Sequence, residues 1–61
     1  MIISETEKLA CVRRELKYRQ HVYPRRVMAG KMTQAQADRE LRCMAAIVAD
    51  YEEHAKVERL L

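Results

Sequence analysis

The sequence is poor in the residues that interrupt helices. Its 61 residues include one glycine (Gly30), one proline (Pro24), and neither tryptophan nor phenylalanine. Because glycine and proline disfavour helix interiors more than any other residues, their scarcity argues against a loop-rich fold and favours long helices. Without Trp and Phe, any core must be aliphatic, with the three tyrosines at its margins. The length limits the chain to a single domain over residues 1–61, near the lower size limit for folding alone.

Long apolar runs are also absent. The longest, from Cys43 to Ala49, has seven residues, whereas a helix that crosses a bilayer needs about 20. Met1 to Ile3 are followed at once by Glu5 and Glu7, so the sequence predicts no secretory signal. We therefore expect a cytoplasmic protein that does not enter a membrane.

The residue types that enzymes need are nearly missing as well. There is one serine, Ser4, and no glycine-rich loop that could hold a phosphate group. A small helical protein also offers no deep pocket in which a carboxylate could be tuned for catalysis. We predict no catalytic residue, no cofactor and no small-molecule substrate.

Two cysteines and two histidines make a metal site a possibility to be weighed. If the chain folds back at Gly30, Cys11 comes near His54. Cys43 likewise comes near His21, but each pair supplies two ligands where structural zinc takes four. The same fold separates the two thiols by about 12 Å along the helix axis, too far for a disulfide. We expect free, half-buried thiols and no metal.

Helix 1 is predicted from about residue 4 to residue 22. Ser4 followed by Glu7 is typical of a capping box, in which each side chain bonds the other residue's backbone. An apolar stripe then recurs at helical steps, formed by Leu9, Val12, Leu16 and Tyr23. Pro24 lacks an N–H and clashes with the preceding turn, so we predict a break or kink there.

Helix 2 is predicted from about residue 33 to residue 59. Gly30 favours a left-handed stop after helix 1, and Thr33 with Gln36 forms a second capping box. From there a heptad-like seam runs without interruption through Ala37, Leu41, Met44, Val48, Tyr51 and Ala55. The predicted fold class is all-α: an antiparallel two-helix hairpin in which residue i faces a residue numbered about 62 − i.

The segment from Cys43 to Ala49 is apolar around the whole circumference of helix 2. A single neighbouring helix covers one stripe of such a segment, so the rest should face a further partner. We predict that the hairpin dimerises into a four-helix bundle, because twofold self-association is the commonest oligomer symmetry. The candidate interface consists of Cys43, Met44, Ile47, Val48 and Tyr51.

Charge is unevenly divided between the two arms of the predicted hairpin. From Ser4 to Ala29 there are seven basic residues and three acidic ones, whereas Thr33 to Leu61 holds four basic and six acidic residues. The two arms can simply attract each other, or the basic arm can contact the phosphates of a nucleic acid. The register places Arg25 beside Asp38, where an ion pair would account for it, so Arg26 is the best single candidate for a partner contact. The full set of candidate contacts to a partner or to phosphates is Arg13, Arg14, Lys17, Arg25 and Arg26.

Short motifs over residues 15–51 form a recognisable pattern, led by Val22-Tyr23-Pro24 and Gly30-Lys31-Met32-Thr33. The other positions that carry it are Glu15-Leu16, Arg19, Val27, Ala37-Asp38, Glu40, Met44, Ile47 and Asp50-Tyr51. With these residues the chain resembles a group of short phage and prophage proteins. The resemblance implies a mobile-element origin, in a bacterial or phage-infected cell, and it brings no activity or site with it.

The function predicted from these features is that of a small phage-type helical interaction or adaptor protein, which acts by macromolecular binding without catalysis. Its expected partners are a second copy of the chain and an unidentified protein. The alternative is a nucleic-acid-binding accessory protein that uses the basic first helix. Binding to phosphates should weaken steeply with added salt, which separates the two hypotheses.

Overall fold

The fold is a hairpin of two long helices. The computed structural model describes all 61 residues and contains α1 (Glu5–Met28) and α2 (Gln34–Leu60), with no strand. The five residues between the helices reverse the chain, so that α1 and α2 pack side by side. The predicted all-α antiparallel hairpin is confirmed.

Both helices begin at the capping residues that the sequence predicts. Thr33 Oγ1 accepts a hydrogen bond from Gln36 N–H at 3.0 Å, and Gln36 Oε1 accepts one from Thr33 N–H at 3.0 Å, which completes a capping box. Ser4 Oγ accepts a hydrogen bond from Glu7 N–H at 3.1 Å. The reciprocal bond from the Glu7 side chain is absent, so the box predicted at the start of α1 is half formed.

α1 runs through Pro24, where the sequence predicts an interruption. The helix ends at Met28 rather than at residue 22, so the predicted boundary is corrected, while a bend at Pro24 stays a prediction. Pro24 removes one backbone hydrogen bond. The continued helix, however, extends the apolar seam to Tyr23 and Val27, which are both half-buried. This burial offsets part of the cost of the proline.

Gly30 ends α1 in the way its sequence position predicts. It adopts φ +72°, a left-handed conformation that costs glycine little. Its N–H donates to the carbonyl of Val27 at 3.0 Å, and Lys31 N–H donates to the carbonyl of Arg26 at 2.9 Å. These two bonds form a Schellman motif and satisfy carbonyl groups that a helix end otherwise leaves free.

The core is a thin seam between the helices. Cross-helix contacts join Glu5 to Glu58 and Arg13 to Glu52, each within one helical turn of the predicted register. Five residues are buried, four of them on α2: Leu9, Ala37, Met44, Val48 and Ala55. Three half-buried side chains pack around the centre of this seam: Val12, Leu16 and Tyr51.

The hairpin is long and thin. Its principal extents are 47 × 20 × 15 Å, and its radius of gyration is 14.2 Å, whereas a compact chain of this length would have roughly 10.5 Å. A pair of helices covers only the stripe along which they touch. The two long sides of the hairpin therefore remain uncovered and available for binding.

Candidate interaction surfaces

One long side of the hairpin is charged. Arg13 of α1 and Glu52 of α2 form an ion pair across the helix boundary, with 3.3 Å between Arg13 Nη2 and Glu52 Oε2. Lys17 and Lys56, one turn further along α1 and α2, add charges to the same side. We call the surface formed by Arg13, Lys17, Glu52 and Lys56 the Arg13 side.

An arginine bridges the two helices on the opposite side. Glu15 lies two residues after Arg13 and hence about 200° around α1. Arg19 Nε donates to Glu15 Oε1 at 2.8 Å, and Arg19 Nη1 lies 3.8 Å from Glu40 Oε2 on α2. The hydrogen bond from Arg19 to Glu15 raises the pKa of Arg19 above its ordinary value. The bridge defines which residues of α1 and α2 share this side.

Apolar and thiol side chains surround the Arg19 bridge. On α2, Cys43 and Ile47 follow Glu40 at helical steps; Cys43 is exposed and 37% of Ile47 is exposed. On α1, three side chains lie at helical steps around Glu15: Cys11, Tyr18 and Val22. Tyr18 is 60% exposed. We call this second surface the Ile47 face, and define it as Cys11, Tyr18, Val22, Cys43 and Ile47.

The hairpin itself buries two of the five residues predicted to form a dimer interface. Met44 (6% exposed) and Val48 (8% exposed) belong to the seam between α1 and α2. Tyr51 packs half-buried against the same seam, whereas Cys43 and Ile47 stay exposed. A partner can therefore contact Cys43 and Ile47 directly, while α1 already covers Met44 and Val48.

The α1 members of the Ile47 face are missing from the predicted interface. Cys11, Tyr18 and Val22 are separated by seven and four residues, which is the spacing of a single helix face. This second stripe is interrupted by Glu15, which makes it look polar in the sequence. The structure pairs Glu15 with Arg19, so a polar position inside the stripe is neutralised by its neighbour.

The basic residues predicted to contact a partner or phosphates do not share one surface. Arg13 is paired with Glu52 on the Arg13 side. Arg26 lies nine residues after Lys17 and hence about half a turn away around α1. Four of the five predicted residues have no acidic partner: Arg14, Lys17, Arg25 and Arg26.

The turn end of the hairpin gathers unpaired cations from both helices. The ion pair expected between Arg25 and Asp38 does not form, and Asp38 Oδ1 accepts a hydrogen bond from Gln34 Nε2 at 2.9 Å instead. The basic side chains here are all exposed: Arg25, Arg26, Lys31, Arg39 and Arg42. This end therefore presents a concentration of positive charge that the sequence, divided by helix, does not reveal.

At the open end of the hairpin, where the first turn of α1 meets the last turns of α2, Glu5 connects the two helices. Its backbone N–H donates to Glu58 Oε2 at 2.9 Å, which places a carboxylate at the positive end of the α1 dipole. Its own carboxylate lies 3.3 Å from Lys8 Nζ and 3.6 Å from His54 Nδ1. Glu5 Oε2 is buried without a hydrogen-bond partner, since the contact to His54 is too long for one. These contacts tie the start of α1 to the end of α2.

The two thiols and the histidines form no shared site. Cys11 and Cys43 are free, as predicted, but both are exposed rather than half-buried. No group of three or more His, Cys, Asp or Glu side chains could hold a metal ion. Neither helix has a stretch long and apolar enough to span a membrane.

Comparison with known proteins does not add to this description. No protein-family model, no curated protein and no solved structure matches the chain. The resemblance to short phage proteins therefore stays a prediction, and the function has to be inferred from the surfaces described above.

Proposed function

We propose that this protein is a non-catalytic helical interaction module that works as a homodimer joined through the Ile47 face. Two hairpins would form a four-helix bundle, and the charged surfaces outside the interface would bind a further macromolecule. A phage or prophage adaptor is the biological setting that the sequence resemblance favours. The observation that carries the proposal is the amount of surface that one hairpin leaves uncovered.

The accessible surface is larger than that of a compact protein of the same mass. It measures 5054 Å², whereas about 4,100 Å² is expected for a compact chain of this size. The surplus of roughly 900 Å² is close to the ~800 Å² that one partner contributes to a standard protein interface. A second copy on one side of the hairpin would therefore remove about as much surface as the hairpin has in excess.

The core supports the same conclusion. It contains five buried residues, of which Ala37 and Ala55 are small. So thin a core buries little apolar surface, and a chain of this length is near the lower size limit for folding alone. A partner on the Ile47 face would bury Ile47 and Tyr18 as well. The folded state would then depend on association.

The Ile47 face suits a partner better than the Arg13 side does. It exposes an isoleucine and a tyrosine, and aromatic side chains are enriched at interfaces whose centres are depleted of charge. A partner on the Arg13 side would have to desolvate Arg13 and Glu52, which costs free energy unless new bonds replace the lost hydration. A partner on the Ile47 face would cover the Arg19 bridge as well, but there Arg19 already bonds Glu15 at 2.8 Å, and Ile47 and Tyr18 add apolar area to bury.

The nucleic-acid alternative has weaker support. Its candidate residues are spread around α1, with Lys17 and Arg26 on opposite sides. Arg13 already has a partner in Glu52. The exposed Tyr18 lies one turn after Arg14, but it belongs to the Ile47 face, and it is a single aromatic side chain rather than a series on which bases could stack. We therefore place macromolecular binding by a dimer first.

Thermal unfolding at several protein concentrations tests the proposal. The melting temperature of a dimer rises with concentration, since dissociation accompanies unfolding. For two chains of this length, a hundredfold increase in concentration should raise it by about 10 °C. A melting temperature that changes by less than about 1 °C over this range would contradict the dimer.

A further inference from the structure

We infer that the two copies in this dimer lie antiparallel, so that the turn end of one hairpin packs over the open end of the other. The inference rests on the proposed dimer and adds its orientation, its register and the residues that meet across it. Charge along the hairpin and the position of Ile47 each bear on it.

Charge changes sign along the long axis of the hairpin. The middle of α1 lies near residue 16, and the middle of α2 is Ile47. The half nearer the turn, residues 17–46, contains seven basic and two acidic residues, a balance of +5. The half at the open end, residues 1–16 and 47–61, contains five basic and seven acidic residues, a balance of −2. Each hairpin is therefore a charge dipole along its length.

This dipole distinguishes the two ways in which twofold symmetry can place a second copy. A parallel dimer sets the +5 half of one hairpin beside the +5 half of the other, which opposes association. An antiparallel dimer sets each +5 half beside a −2 half, so that opposite charges meet at both ends. Charge complementarity of this kind selects orientation, because like charges held close together suppress the wrong arrangement. The turn-end cations are exposed and thus available for it.

The position of Ile47 gives the register of the antiparallel dimer. Ile47 is the central residue of α2 (Gln34–Leu60) and is exposed on the proposed interface. With the twofold axis at this height, Ile47 of one copy meets Ile47 of the second copy. Cys43, one turn closer to the hairpin turn, then reaches the height of Tyr51 of the second copy.

The same register keeps the native thiols apart. A twofold axis that sets Ile47 of α2 against Ile47 of the second α2 also sets α1 against the second α1. Within one hairpin, the pairing of Arg13 with Glu52 puts Cys11 level with residue 54 of α2. Two copies of Cys43 are then about eight residues apart along the axis, or roughly 12 Å, and Cys11 lies on the helix diagonally across from Cys43 of the second copy. A cysteine at position 47 is therefore the direct probe of this register.

Disulfide trapping tests the orientation. In a chain with both native cysteines replaced by serine, Ile47→Cys places the thiols of the two copies together at the twofold axis. Mild oxidation with diamide, followed by mass spectrometry of the linked peptides, should give a covalent dimer joined at position 47. Ala45→Cys in the same background is the matched control and should not link, because position 45 lies about 200° around α2, on the other side of the hairpin.

The molar mass of the same variant separates failure of the orientation from failure of the dimer. A parallel dimer packs α2 against α1 of the second copy, so two copies of position 47 do not meet and cannot link. If Ile47→Cys stays unlinked after oxidation while its mass is that of a dimer, the inference is overturned. A monomeric mass before oxidation refutes the proposed dimer itself.

Discussion

The two long sides of this hairpin differ in what they expose to water. On the Arg13 side, Arg13 and Glu52 bond across the helix boundary and leave charged groups outside. On the Ile47 face, Arg19 bridges the helices, but Tyr18 remains 60% exposed and Ile47 37% exposed. One pair of helices can therefore have one charged, well-hydrated side and one side whose exposed apolar groups favour contact with a partner.

The cause of this difference is the apolar segment of α2. Met44 and Val48 fill the seam with α1, and a single neighbouring helix can cover no more than that stripe. Cys43 and Ile47 belong to the same segment but point to one side of the seam. Tyr18 on α1 extends this exposed stripe across both helices. The Ile47 face is thus an apolar surface that the hairpin cannot cover by itself.

The largest expected effect comes from a negative charge on the Ile47 face, compared with the same charge on the other side of α2. Ile47→Glu should weaken dimer association by about 100-fold or more, equal to about 3 kcal/mol, because the new carboxylate would be buried at the interface. Sedimentation equilibrium measures the change. Ala45→Glu is the matched control: Ala45 is exposed, two residues away in sequence and about 200° around α2.

We expect the Ala45→Glu variant to keep its dimer within about threefold of the native affinity, because a charge on a solvated helix face costs little. Equal weakening by the two substitutions would contradict the distinction between the sides. If neither substitution altered association, the interface would lie elsewhere on the hairpin.

A change in the turn should affect stability without favouring either side. In the Gly30→Ala variant the added Cβ causes no steric clash, since no atom lies within 4 Å of it. The alanine must, however, adopt φ +72°. We expect a loss of about 1–2 kcal/mol in the free energy of unfolding, measured by urea denaturation. Gly30→Asn should lose less, because asparagine tolerates the left-handed region better. Similar losses for alanine and asparagine would contradict this explanation.

The smallest expected effects concern the ion pairs on the two sides. Arg13→Ala should cost at most about 0.5 kcal/mol of unfolding free energy, because its pair with Glu52 is exposed. Arg19→Ala should cost about 1 kcal/mol, since Arg19 contacts both Glu15 and Glu40 and its side chain is only 29% exposed. Urea denaturation of both variants provides the comparison. A larger loss for Arg13→Ala than for Arg19→Ala would contradict the expected ranking of the two bridges.

Much of the fold could be predicted from the sequence, because the ends of the helices depend on local interactions. Gly30 and Thr33 act through their own backbone and the next turn, so their roles at the ends of the helices were predictable. Pro24 was not, because its local cost of about 3 kcal/mol had to be weighed against packing. Helix continuation lets Tyr23 and Val27 become half-buried, and that gain depends on α2.

The binding surface was only partly accessible for a similar reason. The sequence shows that the segment from Cys43 to Ala49 is apolar on several sides of the helix. It does not show which of these side chains α1 covers. The structure assigns Met44 and Val48 to the seam and leaves Cys43 and Ile47 outside. The charge gradient was missed because the residues of each half come from both helices, and a count along the sequence mixes the halves.

The central claim is that the hairpin works as a dimer, and the molar mass in solution tests it most directly. Light scattering coupled to size-exclusion chromatography should give twice the 7.2 kDa of one chain, with the mass falling toward one chain on dilution. A folded protein with the mass of a single chain at every concentration would contradict the claim.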